Sequence, residues 1–120
     1  MLELFQTEWC PASRRVRQRM TELGLDYINR QVPVERDQRT TLLCETGADT
    51  IPVLRLEDRS IVIGEQAILA ALDRLFAEPP EAAEQRDKAA TARRRALERD
   101  CPCLEAAAGA DRVAATRDAA

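Results

Sequence analysis

Apolar residues recur along the first part of the chain with two different periods. The runs "LELF", "DYINRQV", "IPVLRL" and "SIVIG" are short, aliphatic and bounded by turn-forming residues, which predicts four strands. The stretch from about Ser13 to Leu23 and the segments "VERDQRTTLLCETG" and "EQAILAALDRLF" carry apolar residues three and four positions apart, which predicts three helices. The predicted order is strand, helix, strand, helix, strand, strand, helix, which is typical of an α/β protein.

The character of the chain changes after the segment "AEPPE". Pro79 and Pro80 end the last periodic stretch, because proline breaks a helix. Residues 79–120 carry 8 basic and 8 acidic side chains, many alanines and few branched aliphatic residues. We therefore expect a compact domain at residues 1–78, followed by a polar tail that is rich in alanine and arginine and helical in part.

Composition narrows the class of protein. Hydrophobic residues make up 45% of the chain but aromatic residues only 3%, so the predicted core is aliphatic. A net charge of −3, from 18 basic and 21 acidic residues, argues against nucleic acid as a partner. No apolar run approaches the roughly 20 residues that cross a bilayer, and no secretory segment is recognisable. Four cysteines in such a chain favour free thiols, so we expect a cytoplasmic protein without a membrane partner.

The segment "TEWCPASRR" places a cysteine where a predicted strand gives way to a predicted helix. Pro11 suits the first helical position, where its missing N–H is not needed, so Cys10 falls at the helix N-cap. Unpaired backbone N–H groups and the positive end of the helix dipole favour a thiolate there, and Arg14 and Arg15 add positive charge. The pattern therefore predicts that Cys10 is an activated thiol.

Three motifs together resemble a known family. "WCPAS" lies between the first strand and helix, "TIPVL" opens the third strand, and "IGEQAIL" opens the last helix. In this order and spacing they are similar to the thioredoxin fold, and within it to the glutaredoxin family and the N-terminal domain of glutathione transferases. The resemblance covers roughly residues 1–78 and implies glutathione as the cofactor and partner, with glutathionylated proteins or small disulfides as substrates.

The resemblance also implies a thioredoxin-like arrangement of the elements. We expect a four-stranded mixed sheet (βαβαββα) with the strands "LELF" and "YINRQ" parallel at its centre and the other two antiparallel beside them. The helices that begin near Ser13 and Glu65 should share one face, and a helix near residues 37–46 should cover the other. The Ile51–Pro52 bond should be cis.

The resemblance implies a role for several residues toward glutathione. Pro52 would face the thiol and turn the backbone of Ile51 toward the cysteine portion of the ligand, although a proline at a strand start is also common. Gly64, Glu65 and Gln66 would hold the γ-glutamyl end, although an acidic residue in a first helical turn is favourable in any helix.

Further glutathione-binding candidates flank the thiol or lie on the second predicted helix. Arg39, with Gln38, is a candidate for the glycine carboxylate. Trp9, which precedes Cys10, either stacks beside the ligand or packs over the first helix. Pro11, which follows Cys10, is a further candidate.

Ser13 stands where many family members carry a second cysteine. Its hydroxyl can cap the helix or hydrogen-bond the thiolate, but it cannot close an internal disulfide. With Cys10 and Ser13 as catalytic residues, the resemblance implies a monothiol glutathione-dependent disulfide oxidoreductase.

Two alternatives stay open beside this function. One is a glutathione transferase-like domain, for which the 42 residues after Glu78 are too few and too polar to form the usual helical second domain. The other is a glutathione-binding adaptor or iron–sulfur carrier. Cys44 is expected to be a small buried hydrophobe. Cys101 and Cys103 in "CPC" could hold a resolving thiol or reach a metal, but we expect them to be incidental, and no metal site is predicted.

Overall fold

The computed structural model of the protein describes residues 1–99. The chain divides into two units, the first at Met1–Gln85 and the second beginning at Arg86. The elements in chain order are β1 (Leu2–Gln6), α1 (Pro11–Glu22), β2 (Tyr27–Gln31), a short 3₁₀ helix (Arg36–Gln38), α2 (Thr40–Thr46), β3 (Val53–Arg55), β4 (Ile61–Ile63), α3 (Glu65–Leu75) and α4 (Ala82–Arg99). The predicted domain boundary after Glu78 stays a prediction.

The four strands form one mixed sheet in the order β2-β1-β3-β4. β1 runs parallel to β2 and antiparallel to β3, and β4 continues antiparallel to β3. The predicted four-stranded mixed sheet is therefore confirmed. The central position predicted for "YINRQ" is wrong, because β3 takes the second side of β1 and leaves β2 at the edge. Burial agrees with this, since all five residues of β1 are buried whereas β2 is largely exposed.

Alternate residues of the sheet build two aliphatic cores. Leu2 and Leu4 of β1 point to one face. There they pack with residues of β3 and of the helices α1 and α3: Leu54, Val16, Met20, Leu23, Ile68 and Leu72. Phe5 points to the other face and packs with Val32, Leu42, Ala48 and Val53. The helices α1 and α3 thus share one face and α2 lies on the other, as predicted.

The second predicted helix is divided at Arg39. The 3₁₀ helix ends there and α2 begins at Thr40, with Arg39 outside the helical region at φ −85° and ψ 48°. Within α2, Leu42 is the buried residue, whereas Cys44 is exposed. The prediction that Cys44 is buried is wrong, because a residue two positions after Leu42 lies on the opposite side of a helix.

The second unit is described as far as Arg99. α4 is described over Ala82–Arg99, and within it Arg94 Nε lies 3.8 Å from Glu98 Oε1, one helical turn away. Cys101 and Cys103 lie outside the described residues. Within residues 1–99 the helices are too short or too polar to span a bilayer.

Candidate functional site

The strand register brings the segment before β3 to the edge of the sheet where β1 ends. Phe5 near the end of β1 is paired with Val53, the first residue of β3, and the two strands are antiparallel. Pro52 therefore lies at the edge from which the chain leaves β1 and turns toward Cys10. The peptide bond between Ile51 and Pro52 is cis.

The start of α3 reaches the same edge. Val53 is also paired with Ile63, the last residue of β4, so the chain leaves β4 beside Pro52. The Gly64 N–H donates to the Pro52 carbonyl at 3.0 Å, and Glu65 then begins α3. Three segments distant in sequence, each carrying a predicted site residue, thus meet at one edge of the sheet.

Cys10 is the N-cap of α1, as its position before Pro11 predicts. Its backbone is extended, at φ −73° and ψ 120°, and its sulfur accepts a hydrogen bond from the Ser13 N–H at 3.4 Å. The thiol takes the place of the serine or aspartate oxygen that usually caps a helix. Cys10 is partly buried, so the sulfur is held by the helix and still reaches the surface.

The surroundings of Cys10 favour its thiolate form. Burial raises the pKa of the thiol, but the Ser13 side chain, the backbone N–H groups of Ser13 and Ala12 and the charge of Arg15 together lower it below its usual value. The hydrogen-bond donors stabilise the negative sulfur more than the neutral one. The site therefore favours a nucleophilic sulfur more than an ordinary cysteine site does.

The Ser13 hydroxyl is enclosed next to this sulfur. Ser13 is fully buried, and its Oγ atom has no hydrogen-bond partner of full geometry among the described residues. An unpaired buried hydroxyl is uncommon and often marks a functional site. A thiolate at Cys10 gives this hydroxyl an acceptor, which explains how the Ser13 side chain lowers the pKa of the thiol.

Glu65 is paired with a residue of α1. Arg15 Nη2 donates to Glu65 Oε1 at 2.9 Å, and Arg15 Nε donates to Glu65 Oε2. The hydrogen bonds from Arg15 lower the pKa of Glu65 despite its partial burial. No local sequence pattern indicates this ion pair, because its members are separated by 50 positions and lie on different helices.

Arg17 is a structural residue of the site that the sequence did not single out. Its guanidinium donates to the Gln6 side chain, to the Thr7 carbonyl at 3.4 Å and to the Glu8 carbonyl at 3.5 Å. It also lies 3.5 Å from the Glu8 carboxylate. These contacts fix the turn between β1 and Cys10. They also offset the charge of Glu8, which would otherwise oppose a thiolate nearby.

Arg39 stabilises the loops around it through hydrogen bonds to their backbone. Its guanidinium donates to the carbonyls of Pro33, Val34 and Asp49 at 2.9, 3.0 and 2.8 Å, and the residue is only 8% exposed. Such contacts join the segment after β2 to the segment before β3 and leave little of the guanidinium accessible. A role for Arg39 toward the glycine carboxylate stays a prediction.

The other predicted site residues differ in exposure. Trp9 is 58% exposed, so its ring does not pack into the core over the first helix. Pro11 and Gln66 are also exposed, and Ile51 is half-buried. All four belong to segments that adjoin Cys10, Pro52 or Glu65 in the chain.

The fold and the position of the thiol define a class of protein. A mixed four-stranded sheet with a cysteine at the N-terminus of its first helix is a thioredoxin-like fold. The family model described as "Glutathione S-transferase, N-terminal domain" matches residues 4–80. The chain belongs to the glutathione S-transferase N-terminal domain family.

Solved structures agree with this family. A glutathione S-transferase from Rhodospirillum rubrum is 29% identical, with a TM-score of 0.57 over 66% of this chain and 35% of its own. A glutathione transferase homologue from Sulfitobacter, solved with bound glutathione, is 27% identical, with a TM-score of 0.57 over 69% and 39%. Glutaredoxin 2 from Salmonella typhimurium, in complex with glutathione, is 18% identical with a TM-score of 0.57 and shares the fold.

The match extends over only part of these relatives. This chain covers between 35% and 39% of the length of the two transferase structures. A comparison with curated proteins finds no match.

Proposed function

We propose that the protein is a glutathione-dependent thiol–disulfide oxidoreductase that works with the single thiol of Cys10. The observation that carries the proposal is the thiol cap of α1, where Cys10 Sγ accepts the Ser13 N–H at 3.4 Å and the pKa of the thiol is lowered. Thiol–disulfide exchange requires a thiolate as the attacking group. The proposed substrates are glutathionylated proteins and small mixed disulfides of glutathione.

The reaction consists of two exchange steps at sulfur. In the first, the Cys10 thiolate attacks the glutathione sulfur of a mixed disulfide. The new bond joins Cys10 to glutathione, and the substrate leaves as a thiolate that takes up a proton. In the second, the thiolate of another glutathione attacks the glutathione sulfur of this adduct. Glutathione disulfide forms, and Cys10 leaves as the thiolate.

The edge of the sheet offers groups that suit two parts of glutathione, its cysteine portion and its γ-glutamyl end. The backbone of Ile51, beside Pro52, can pair with the cysteine portion of the ligand as a neighbouring strand would. The Glu65 carboxylate can accept from the α-ammonium group, and the start of α3, with Gly64 and Gln66, can bind the α-carboxylate. Trp9 and Pro11 are proposed to border the ligand on the exposed side of Cys10.

Ser13 directs the proposed cycle toward glutathione. A cysteine at this position could displace glutathione from Cys10 by forming an internal disulfide. The buried Ser13 hydroxyl has no such reactivity, so the adduct waits for an external thiol. The two described cysteines, Cys10 and Cys44, are free, which suits a reducing compartment such as the cytoplasm.

A glutathione-coupled assay tests the proposal directly. The mixed disulfide of glutathione and 2-mercaptoethanol is the substrate, and glutathione disulfide is measured through glutathione reductase. Cys10→Ser should abolish turnover, and Cys44→Ser is the matched control that should retain it. Activity that survives in Cys10→Ser and is lost in Cys44→Ser would overturn the proposal.

The second candidate function is glutathione transfer to an electrophile, which the family match favours. In that reaction the thiolate of glutathione itself attacks the electrophile, and Cys10 would form no covalent adduct. Conjugation of 1-chloro-2,4-dinitrobenzene by the wild type, with mixed-disulfide reduction absent, would favour the transferase function over the oxidoreductase.

A further inference from the structure

The ion pair between Arg15 and Glu65 joins the helix of the thiol to the helix of the proposed ligand-binding end. Both guanidinium nitrogens that face α3 are used, in the forked geometry that matches a carboxylate. The two side chains differ in exposure, with Arg15 at 58% and Glu65 at 15%. Glu65 is therefore the more covered side chain of the two, and Arg15 is largely exposed to solvent.

The same guanidinium acts on the thiol. The charge of Arg15 is one of the causes that lower the pKa of Cys10. In return, after the hydrogen bonds that Arg15 donates to Glu65, the charge of Cys10 contributes to raising the pKa of Arg15. One exposed cation on α1 thus pairs with a carboxylate on α3, and its charge favours the thiolate at the start of its own helix.

Two other arginines of α1 have partners of their own. Arg17 is held by Gln6, by Glu8 and by the backbone of the turn before Cys10. Arg19 is paired with Glu22 on its own helix and with two acidic residues that follow the start of α3, Asp73 and Glu78. Arg14 is exposed and lies beside Arg15 in the chain. Arg15 is thus the α1 arginine that contacts Glu65 and whose charge lowers the pKa of Cys10.

We propose that Arg15 is a positioning residue whose charge is shared between Glu65 and Cys10, and that an ammonium group bound at Glu65 releases it toward the thiolate. This inference rests on the proposed function, in which the ammonium group is that of the γ-glutamyl end of glutathione. Binding at one end of the site would then activate the sulfur at the other. Without a ligand, pairing with Glu65 weakens the effect of the Arg15 charge on the Cys10 thiolate.

The coupling predicts opposite effects for two neutral substitutions. Glu65→Gln frees Arg15, so the thiolate becomes more favourable. Arg15→Met removes the charge, so the thiolate becomes less favourable. In an Arg15→Met background, Glu65→Gln should have much less effect, because it acts through Arg15. Arg15→Lys keeps the charge without the forked contact and should fall between the wild type and Arg15→Met.

The measurement is the pH dependence of Cys10 alkylation by iodoacetamide, followed by peptide mapping so that the other cysteines do not contribute. The thiolate is the reactive form, so below the midpoint the rate rises about threefold for Glu65→Gln and falls about threefold for Arg15→Met. Arg74→Met, which removes an exposed arginine near the far end of α3, is the control and should leave the midpoint unchanged. Circular dichroism checks that each variant is folded, and the neutral Arg15→Gln replaces Arg15→Met if the latter is not.

A ligand without a thiol tests the second half of the proposal. γ-Glutamylglycine carries the α-ammonium group and leaves Cys10 open to iodoacetamide. It should lower the midpoint of alkylation in the wild type and have no such effect in Arg15→Met. An unchanged midpoint in Glu65→Gln, or an equal shift in both backgrounds, would overturn the coupling. Loss of mixed-disulfide reduction would bear on the proposed function alone, because alkylation does not depend on it.

Discussion

The N–H of Gly64 donates to the carbonyl of Pro52 at 3.0 Å, which ties the start of α3 to the segment before β3. Gly64 has φ +93° and ψ 152°, a region of backbone conformation that is essentially restricted to glycine. A β-carbon at this position would meet no atom within 4 Å, so space is not the constraint. The constraint is the backbone conformation of Gly64, which places the first turn of α3 at the edge of the sheet near Cys10.

Gly64→Ala should therefore destabilise the protein through its backbone. We expect a loss of about 1–3 kcal/mol in the free energy of unfolding, measured by urea denaturation, because alanine is strained at this φ and ψ. Gly47 is the matched control. It lies at φ 78° and ψ 4°, the left-handed region that asparagine tolerates, so Gly47→Asn should cost much less. Equal losses in the two variants would contradict this explanation.

Arg39 should contribute to stability through its three contacts with backbone carbonyls. Arg39→Met leaves the carbonyls of Pro33, Val34 and Asp49 without this donor, and we expect a loss of about 2–3 kcal/mol in the free energy of unfolding. Arg36→Met is the control, because Arg36 makes an exposed ion pair with Asp49 and such pairs contribute at most about 1 kcal/mol.

The same variant separates a structural role from a ligand-binding one. If Arg39 binds the glycine carboxylate, affinity for S-methylglutathione, measured by calorimetry at a temperature where Arg39→Met is folded, falls sharply. If its guanidinium serves the loop alone, affinity changes little while stability falls.

Local patterns predicted the position of Cys10 at the helix N-cap but not the neighbours of every strand. Cys10 and Ser13 are three residues apart on one helix, so their contact follows from helix geometry and the N-cap position. The pair of Arg15 with Glu65 depends instead on how two helices distant in sequence pack, which no local period encodes. The same reason explains why β2 was wrongly placed at the centre of the sheet. A strand pattern shows that a strand exists but not which strands lie beside it.

A buried ion pair should make the protein sensitive to acid. Arg55 Nε donates to Glu3 Oε2 at 2.6 Å, and Arg30 Nε donates to Glu3 Oε1 at 2.7 Å. The hydrogen bond from Arg55 and the contacts of Arg30 lower the pKa of Glu3 from 4.5 to about 2, although burial opposes this. Because the pKa is lower in the folded state, the ionised carboxylate stabilises the protein above pH 4.5 and this contribution is lost as the pH falls toward 2.

Glu3→Gln should remove this contribution. At pH 7 we expect a loss of about 3 kcal/mol, because the buried Arg55 is left without its main counter-charge. The difference between the wild type and the variant should shrink as the pH falls below 4.5, the ordinary pKa of the carboxyl group. Urea denaturation at a series of pH values measures it, with the exposed Glu57→Gln as control. A difference that is constant with pH would show that the carboxylate charge is not the cause.

Ser13→Ala should separate reactivity from stability at the proposed catalytic site. The Ser13 hydroxyl is buried without a partner of full geometry, so its removal breaks no hydrogen bond of the neutral thiol, and the free energy of unfolding should change by less than about 0.5 kcal/mol. The thiolate, however, loses a donor. The pKa of Cys10 should rise, and alkylation by iodoacetamide at pH 7 should slow by about three- to tenfold.

Thr7→Val is the matched control for this last variant. Thr7 is also buried, its Oγ1 atom likewise has no partner among the described residues, and it lies three positions before Cys10 as Ser13 lies three after. The pKa of Cys10 is lowered by Ser13, by the Ala12 backbone and by Arg15. Thr7→Val should therefore leave both stability and the alkylation rate close to the wild type. If both variants slow alkylation equally, the effect comes from packing around the thiol, and the hydroxyl of Ser13 has no specific role in stabilising the thiolate.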